Sequence, residues 1–175
     1  MTSDTVIETP RLRLVTLCDA ALERLRDGDV DAASLAQGFT FTDEFLETVN
    51  AVFLSIHLEG QRRHPSAPGW FVRAIVRTSD ARLIGHCGFH GAPLDVGRAE
   101  IGYTVFAPYR GQGFATEAAR ALVAWAMAQG STSVFASVAP TNAPSLALVR
   151  SLGFARVETH TNARGDEEYV FELHA

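Results

Sequence analysis

The chain has 175 residues, 47% of them hydrophobic, with a formal net charge of −5 and two cysteines. No run of about 18 apolar residues marks a membrane span, and no Lys/Arg cluster beyond Arg62-Arg63 marks a nucleic-acid face. Cys18 and Cys87 form no C-x-x-C pair, which speaks against a disulfide scaffold and suits a reducing cytosol. An acidic balance is compatible with a cationic substrate such as an amine, and equally with plain solubility. The length fits one domain over residues 1–175, and such a chain buries roughly two-thirds of its surface in a core.

The N-terminal "MTSDTVIETP" has neither a basic nor an apolar leader region, so no secretory signal is expected. "PRLRLVTL" (Pro10–Leu17) alternates Leu12 and Leu14 with Arg11 and Arg13, and reads as a half-buried strand. A short helix is expected over Asp19 to Arg26. A second is expected over Asp43 to Glu59, with Phe45, Val49, Val52, Phe53 and Ile56 as its apolar face. Glu59 to Gly69 is polar, holds two prolines and reads as a loop.

Then the period changes. Trp70–Arg77, Arg82–His90 and Ala99–Phe106 are strand-like runs joined by turns at Ser79-Asp80 and at Gly91 to Gly97, a spacing that favours antiparallel hairpins. A strong helix follows, with Ala118, Ala121, Leu122, Trp125 and Ala126 on one face and Gly130 just past its end. Ser133–Ala139 is the next strand. Asn142 caps a helix to Leu152, which Gly153 ends, and Phe154–His160 and Glu167–His174 are the last strands. The expectation is an α/β (α+β) fold, a mixed, mostly antiparallel central sheet of about seven strands flanked by about four helices.

The stretch "RGQGFAT" (Arg110–Thr116) lies between a strand and a helix. Two readings are open. Gly111 and Gly113 serve either a tight structural turn or a cradle in which free amides at a helix N-terminus meet an anion. Arg110 and the Thr116 hydroxyl would add contacts to such an anion. The chain has no Gly-Lys-Ser/Thr, which excludes the P-loop, and Thr116 occupies the slot of the third glycine of the dinucleotide fingerprint.

"RGQGFA", the later "NAPSLALVRSLGF" (Asn142–Phe154) and the early "ETPRLRLVTL" together resemble the GNAT superfamily of acyl-CoA-dependent N-acetyltransferases, in the branch of the ribosomal-protein N-terminal acetyltransferases. The loop pattern Arg/Gln-x-x-Gly-x-Gly/Ala is met by Arg110, Gly113 and Ala115. "EIGY" (Glu100–Tyr103) precedes it and "ATEA" (Ala115–Ala118) follows; Asn-x-x-Ser is met by Asn142 and Ser145, and "LGF" by Leu152–Phe154.

The resemblance implies acetyl transfer from acetyl-CoA to a primary amine, on a protein N-terminus or a small molecule, by a cytosolic enzyme without a metal, a nucleic-acid partner or a membrane, with a homodimer as the family pattern. Loop residues Arg110, Gly111, Gln112, Gly113, Phe114, Ala115 and Thr116 would hold the CoA pyrophosphate. The strand edge at Thr104 and Val105 would pair with the pantetheine arm, and Asn142 and Ser145 would touch the cofactor from the next helix. A backbone N–H near Val105 would steady the oxyanion.

The acceptor amine must lose a proton, modest work for an α-amine and heavier for a lysine. Glu100 is the candidate base, with a solvent-facing strand carboxylate as its other reading; Glu168 and Tyr169 follow. The tyrosine that many relatives carry seven residues after the motif asparagine is Val149 here, so Ser145, or a water it holds, becomes the candidate acid. Ser151 stands where a lysine is common, with Arg150 beside it. The missing tyrosine keeps a non-catalytic acyl-CoA sensor of the same fold as the rival function. His86 and His90, about 13 Å apart along one strand face, are too distant for joint metal ligation. Trp70 reads as core or as acceptor-cleft lining.

Overall fold

The computed structural model describes residues 6–93 and 97–175. Met1–Thr5 and Leu94–Val96, the latter within the expected Gly91–Gly97 turn, lie outside the described residues. Eight strands form one sheet in the order β1-β2-β3-β4-β5-β6-β8-β7. They are β1 (Val6–Glu8), β2 (Leu12–Thr16), β3 (Val72–Arg77), β4 (Arg82–Phe89), β5 (Arg98–Val105), β6 (Ser133–Val138), β7 (Ala155–Thr161) and β8 (Glu167–His174). Every pair is antiparallel except β5 with β6. That parallel pair needs a crossover, and the chain supplies one as α5 (Phe114–Ala128). A mixed sheet covered by helices is the expected architecture.

Two of the differences are additions. β1 is a three-residue strand, too short to show alternation, held to β2 by Val6↔Val15, Ile7↔Leu14 and Glu8↔Arg13. Besides α1 (Asp19–Arg26), a helix α2 (Val30–Gln37) follows, capped by the Asp29 side chain on the Ala32 amide and ended by Gly38 at φ +83°. Asp29 and Gly38 are the start and stop signals that mark it in the sequence.

The expected helix Asp43–Glu59 is two helices, α3 (Asp43–Leu46) and α4 (Ala51–Arg63). Asn50 restarts it, its Oδ1 accepting the Phe53 amide at 2.9 Å. The restart changes the phase. α4 buries Leu54, His57, Leu58 and Gln61, while Val52 and Ile56 are 67% and 59% exposed. The expected apolar face is therefore wrong at those two positions. Two polar residues lie on the true face, and Gln61 earns its burial through a 3.0 Å bond from Nε2 to the Leu17 carbonyl.

One stripe of α5 (Ala118, Ala119, Leu122 and Ala126) is fully buried against the sheet. Gly130 at φ +93° follows the Gln129 C-cap, as the sequence predicts. Trp70 packs into the core between Phe89 (4.8 Å between centroids) and Trp125 (4.7 Å). It closes a 3-10 turn (Pro68–Trp70) ahead of β3 and lines neither of the cavities described next.

Candidate active site

β5 and β6 are clamped at one end and part at the other. Arg98 grips Glu172 of β8 through Nε (2.9 Å) and Nη2 (3.0 Å), and Ser133 of β6 donates to the same carboxylate at 2.6 Å. Pairing of β5 with β6 covers only Arg98, Ala99 and Glu100. From Ile101 to Val105, β5 keeps β4 as its sole strand partner.

The alternation of an antiparallel ladder decides which backbone groups are open. His90 N donates to Glu100 O, and Phe106 N donates to Ile84 O. Glu100, Gly102, Thr104 and Phe106 thus turn their backbone toward β4, while Ile101, Tyr103 and Val105 turn theirs to the edge that β6 leaves. Arg110 Nε caps the Val105 carbonyl at 2.9 Å.

A groove of about 800 Å³ runs from this edge to the N-termini of α5 and of α6 (Ala143–Ser151). It gathers ten of the residues expected to bind one ligand: Thr104, Val105, Arg110, Gly111, Gly113, Phe114, Ala115, Thr116, Asn142 and Ser145. Gln112 is outside it, its side chain on the Pro108 carbonyl (3.4 Å) and its own carbonyl on Arg11. Gly111 and Gly113 adopt φ +74° and +80°, where side chains are strained, and a Cβ at Gly111 would meet nothing within 4 Å. Among the described residues, no amide from Gly111 to Thr116 donates to a protein acceptor. Five of these residues, Gly111 and Gly113–Thr116, line the groove at the positive end of a 15-residue helix, an arrangement suited to an anion.

The cradle is braced from the far edge of the sheet. Glu117 accepts Thr9 Oγ1 (2.6 Å), Arg11 N (2.9 Å) and Arg11 Nε (2.6 Å). Arg11 also donates Nη1 to the Gln112 carbonyl (3.0 Å) and lies over the Phe114 ring, 4.6 Å from its centroid. Burial alone would push the Glu117 carboxyl up; the bonds from Thr9 and Arg11 outweigh it and hold the group below its usual range. Arg11 and Glu117 sit inside the "PRL" and "ATEA" motifs. A carboxylate in the first turn of α5 and a cation just ahead of β2 are both visible in the sequence, but nothing local to either points to their pairing.

α6 begins as predicted. Asn142 Oδ1 accepts the Ser145 amide at 3.2 Å, an N-cap that leaves the side-chain NH₂ free for a ligand. Ser145 Oγ is 2.7 Å from the Tyr103 hydroxyl, bridging α6 to β5. Val149 is fully buried, so α6 offers no hydroxyl there. Ser151 lines the groove, and its hydroxyl donates back to the Leu148 carbonyl at 2.7 Å. Arg150 lies over Phe171 of β8 and does not line the groove.

A second cavity of about 320 Å³ meets the first at Tyr103 and Thr104, which line both. Its walls hold three histidines (His57 of α4, His86 of β4 and His90 just beyond it) with Phe53, Cys87 and Gly102. His86 packs edge-on to Phe45 (5.8 Å) and against Phe53 (5.4 Å). Burial, then the nearby His90 and His86, pushes His57 down to about 4; burial pushes His86 down to about 4. Both are neutral at pH 7. Burial pushes the Cys87 thiol up to about 12, so it holds its proton and is a poor nucleophile.

His90 is different. Its Nδ1 is 3.1 Å from Glu100, and that bond raises its pKa above the usual 6.5, with the Glu100 and Glu168 charges adding to it against burial. Burial alone would push the Glu100 carboxyl up, but bonds from His90 and from Ser137 Oγ (2.7 Å) hold it below its usual value. Glu100 lies behind His90 and lines neither cavity. A Cβ at Gly102 would come within 3.0 Å of His90 Nε2 and crowd the ring. Glu168 pairs with His160 at 3.4 Å, and Tyr169 sits under the Arg156 guanidinium at 3.5 Å. Neither lines a cavity.

Among the described residues, no group of three or more His, Cys, Asp or Glu is arranged to hold a metal, and no helix is long and apolar enough to cross a membrane.

Comparison with known proteins bears on the family and the fold. The chain is 34% identical over 124 residues to the uncharacterized N-acetyltransferase p20 of Bacillus licheniformis, a match covering 67% of this chain and 65% of p20's own length. The fold is similar to that of the ribosomal-protein-S5-alanine acetyltransferase of Vibrio fischeri, at TM-score 0.65 and 16% identity over 97% of this chain and 96% of that one. It is similar also to that of the microcin C7 self-immunity acetyltransferase MccE, solved in complex with acetyl-CoA and AMP, at TM-score 0.66 and 14% identity over 95% and 94% of the two chains. At such identities the two structures speak to the fold alone. The acetyltransferase (GNAT) domain profile matches residues 11–155, and the chain belongs to that family.

Proposed function

We propose that this chain is one acetyltransferase domain that moves an acetyl group from acetyl-CoA to a primary amine, CoA lying in the groove and the amine arriving through the histidine cleft. One observation carries the reading. Groove and cleft are separate cavities with different walls, and they meet only at Tyr103–Thr104, where β5 has left β6.

The residues present fit CoA. The free amides of Gly111–Thr116, with Arg110, suit a pyrophosphate, and the open edge of Tyr103 and Val105 suits the amide-bearing pantetheine arm. Bound acetyl-CoA supplies a thioester carbonyl open to attack by an amine. The Val105 N–H at the open edge is the donor for the developing oxyanion.

At the acceptor end, His90 takes the ammonium proton and Glu100 holds the ring by its Nδ1–H. The Glu100 bond raises the pKa of His90 and so makes the ring a stronger base, whereas the Glu100 carboxylate, held below its usual range, is too weakly basic. Glu100 thus serves as the positioning half of a base pair. Cys87, buried and protonated, is no acyl carrier, which favours direct transfer between two bound substrates.

The test is an amine panel of N-terminal peptides, polyamines, aminoglycosides and amino acids, with acetyl-CoA as donor and free-thiol release as readout. Amine-dependent release by at least one class is expected. CoA binding without release above background for every class would favour the sensor reading.

A further inference from the structure

We propose that Tyr103 protonates the departing CoA sulfur, acting from the strand side of the site with Ser145 as its relay. The inference rests on the acetyl-transfer reading and adds the proton donor that reading lacks. α6 carries the buried Val149 at the position where many relatives place a tyrosine, so that position supplies no acid, and Ser145, the candidate acid on the same helix, is itself held by the Tyr103 hydroxyl.

Tyr103 can. Its backbone lies on the open edge of β5, and the residue lines both cavities, as only Thr104 does besides. Any acyl group handed from groove to cleft passes it. Its hydroxyl is 2.7 Å from Ser145 Oγ, in the first turn of α6, which in turn lines the groove. The phenol is thus held at the junction by a partner that can return a proton from the groove. Burial pushes its pKa up, against the Ser145 bond, so the hydroxyl keeps its proton at neutral pH.

The step balances. As the amine nitrogen forms its bond to the carbonyl carbon and the carbon–sulfur bond breaks, Tyr103 gives its proton to sulfur and is refilled through Ser145. The acceptor ammonium sheds two protons in becoming an amide. One replaces the proton given to sulfur, and the other is released to solvent by way of His90.

The first test reads binding. CoA and desulfo-CoA are titrated calorimetrically into wild type and Tyr103→Phe. Wild type should prefer CoA by roughly three- to tenfold, the worth of one hydrogen bond to the sulfur, and the variant should lose that preference. Turnover in Tyr103→Phe should fall about 100-fold. In a second variant, with 3-fluorotyrosine at position 103, packing is nearly unchanged and the alkaline limb of the turnover profile should move down with the more acidic phenol. A CoA preference and an alkaline limb that survive both changes would overturn the assignment while leaving acetyl transfer intact. Failure of wild type to bind CoA at all would overturn both.

Discussion

The groove and the cleft share two residues and are built by opposite means. The groove offers backbone: free amides at a helix start and a cap, set by local sequence within Arg110–Thr116 and Asn142–Ser145, and a strand edge that the parting of β5 and β6 leaves unpaired. The cleft offers side chains from distant segments, with Thr48, Phe53 and His57 from the helical region meeting His86 and His90 at the end of β4. Backbone donors tolerate sequence change, because amides survive substitution of their side chains. Side-chain walls change with every substitution.

The sharpest way to break that contrast is to remove the carboxylate behind His90. Glu100→Gln should lower the plateau of kcat/KM about 100-fold while leaving CoA affinity unchanged. It should also move the acid limb. The base form of His90 is neutral, and Glu100 raises its pKa, so activity in wild type rises with pH above the ordinary histidine value. The variant's limb should shift to lower pH. A pH–rate profile with an unmoved limb would remove His90 from the mechanism.

The neutral histidines give the next largest effect, on stability. His57 and His86 have folded pKa values near 4 against 6.5 in the unfolded chain. Their contribution is complete above pH 6.5 and is lost as pH falls from there toward 4, by up to about 1.4 kcal/mol per pH unit for each. Denaturant unfolding from pH 7 to pH 4.5 should show this slope, and His86→Phe should flatten it. An equal slope in the variant would contradict the burial argument.

On the groove side, Glu117→Ala should loosen the brace between the first β-hairpin and the cradle and weaken CoA binding about tenfold, with less effect on KM for the amine. Smaller still is Asn142. Asn142→Ala should cost about 1 kcal/mol of stability as a lost cap, while Asn142→Asp keeps the cap. Measured by melting, the Asp variant should match wild type; any CoA affinity it loses then reports the free NH₂ rather than the fold.

The same division explains what the sequence made legible. The glycine turn, α5 and α6 are readable because caps, left-handed glycines and helical period are local signals, and Asn142, Gly113 and Gly130 stand where those signals put them. α4 misleads because its buried face carries His57 and Gln61, and polar residues vanish from a hydrophobic stripe even where, as at Gln61, a distant carbonyl satisfies their burial. The brace of Arg11 on Glu117 joins residues 106 positions apart, and the Glu100–His90 bond depends on the β4–β5 register. Neither has a local signature. Tyr103 is visible in "EIGY" as a strand residue, but its bond to Ser145 follows only from the parting of β5 and β6.

The central claim is that the cradle of Gly111–Thr116 binds CoA through its backbone. Calorimetric titration of CoA into wild type and Gly113→Val tests it most directly. The valine would be β-branched at φ +80°, forcing the loop out of its shape, with its Cβ 3.5 Å from Arg11 Nη2. One-site binding by wild type, and at least about 100-fold weaker binding by a variant that keeps its circular dichroism spectrum, is the predicted result. Equal affinity in the two proteins would contradict it.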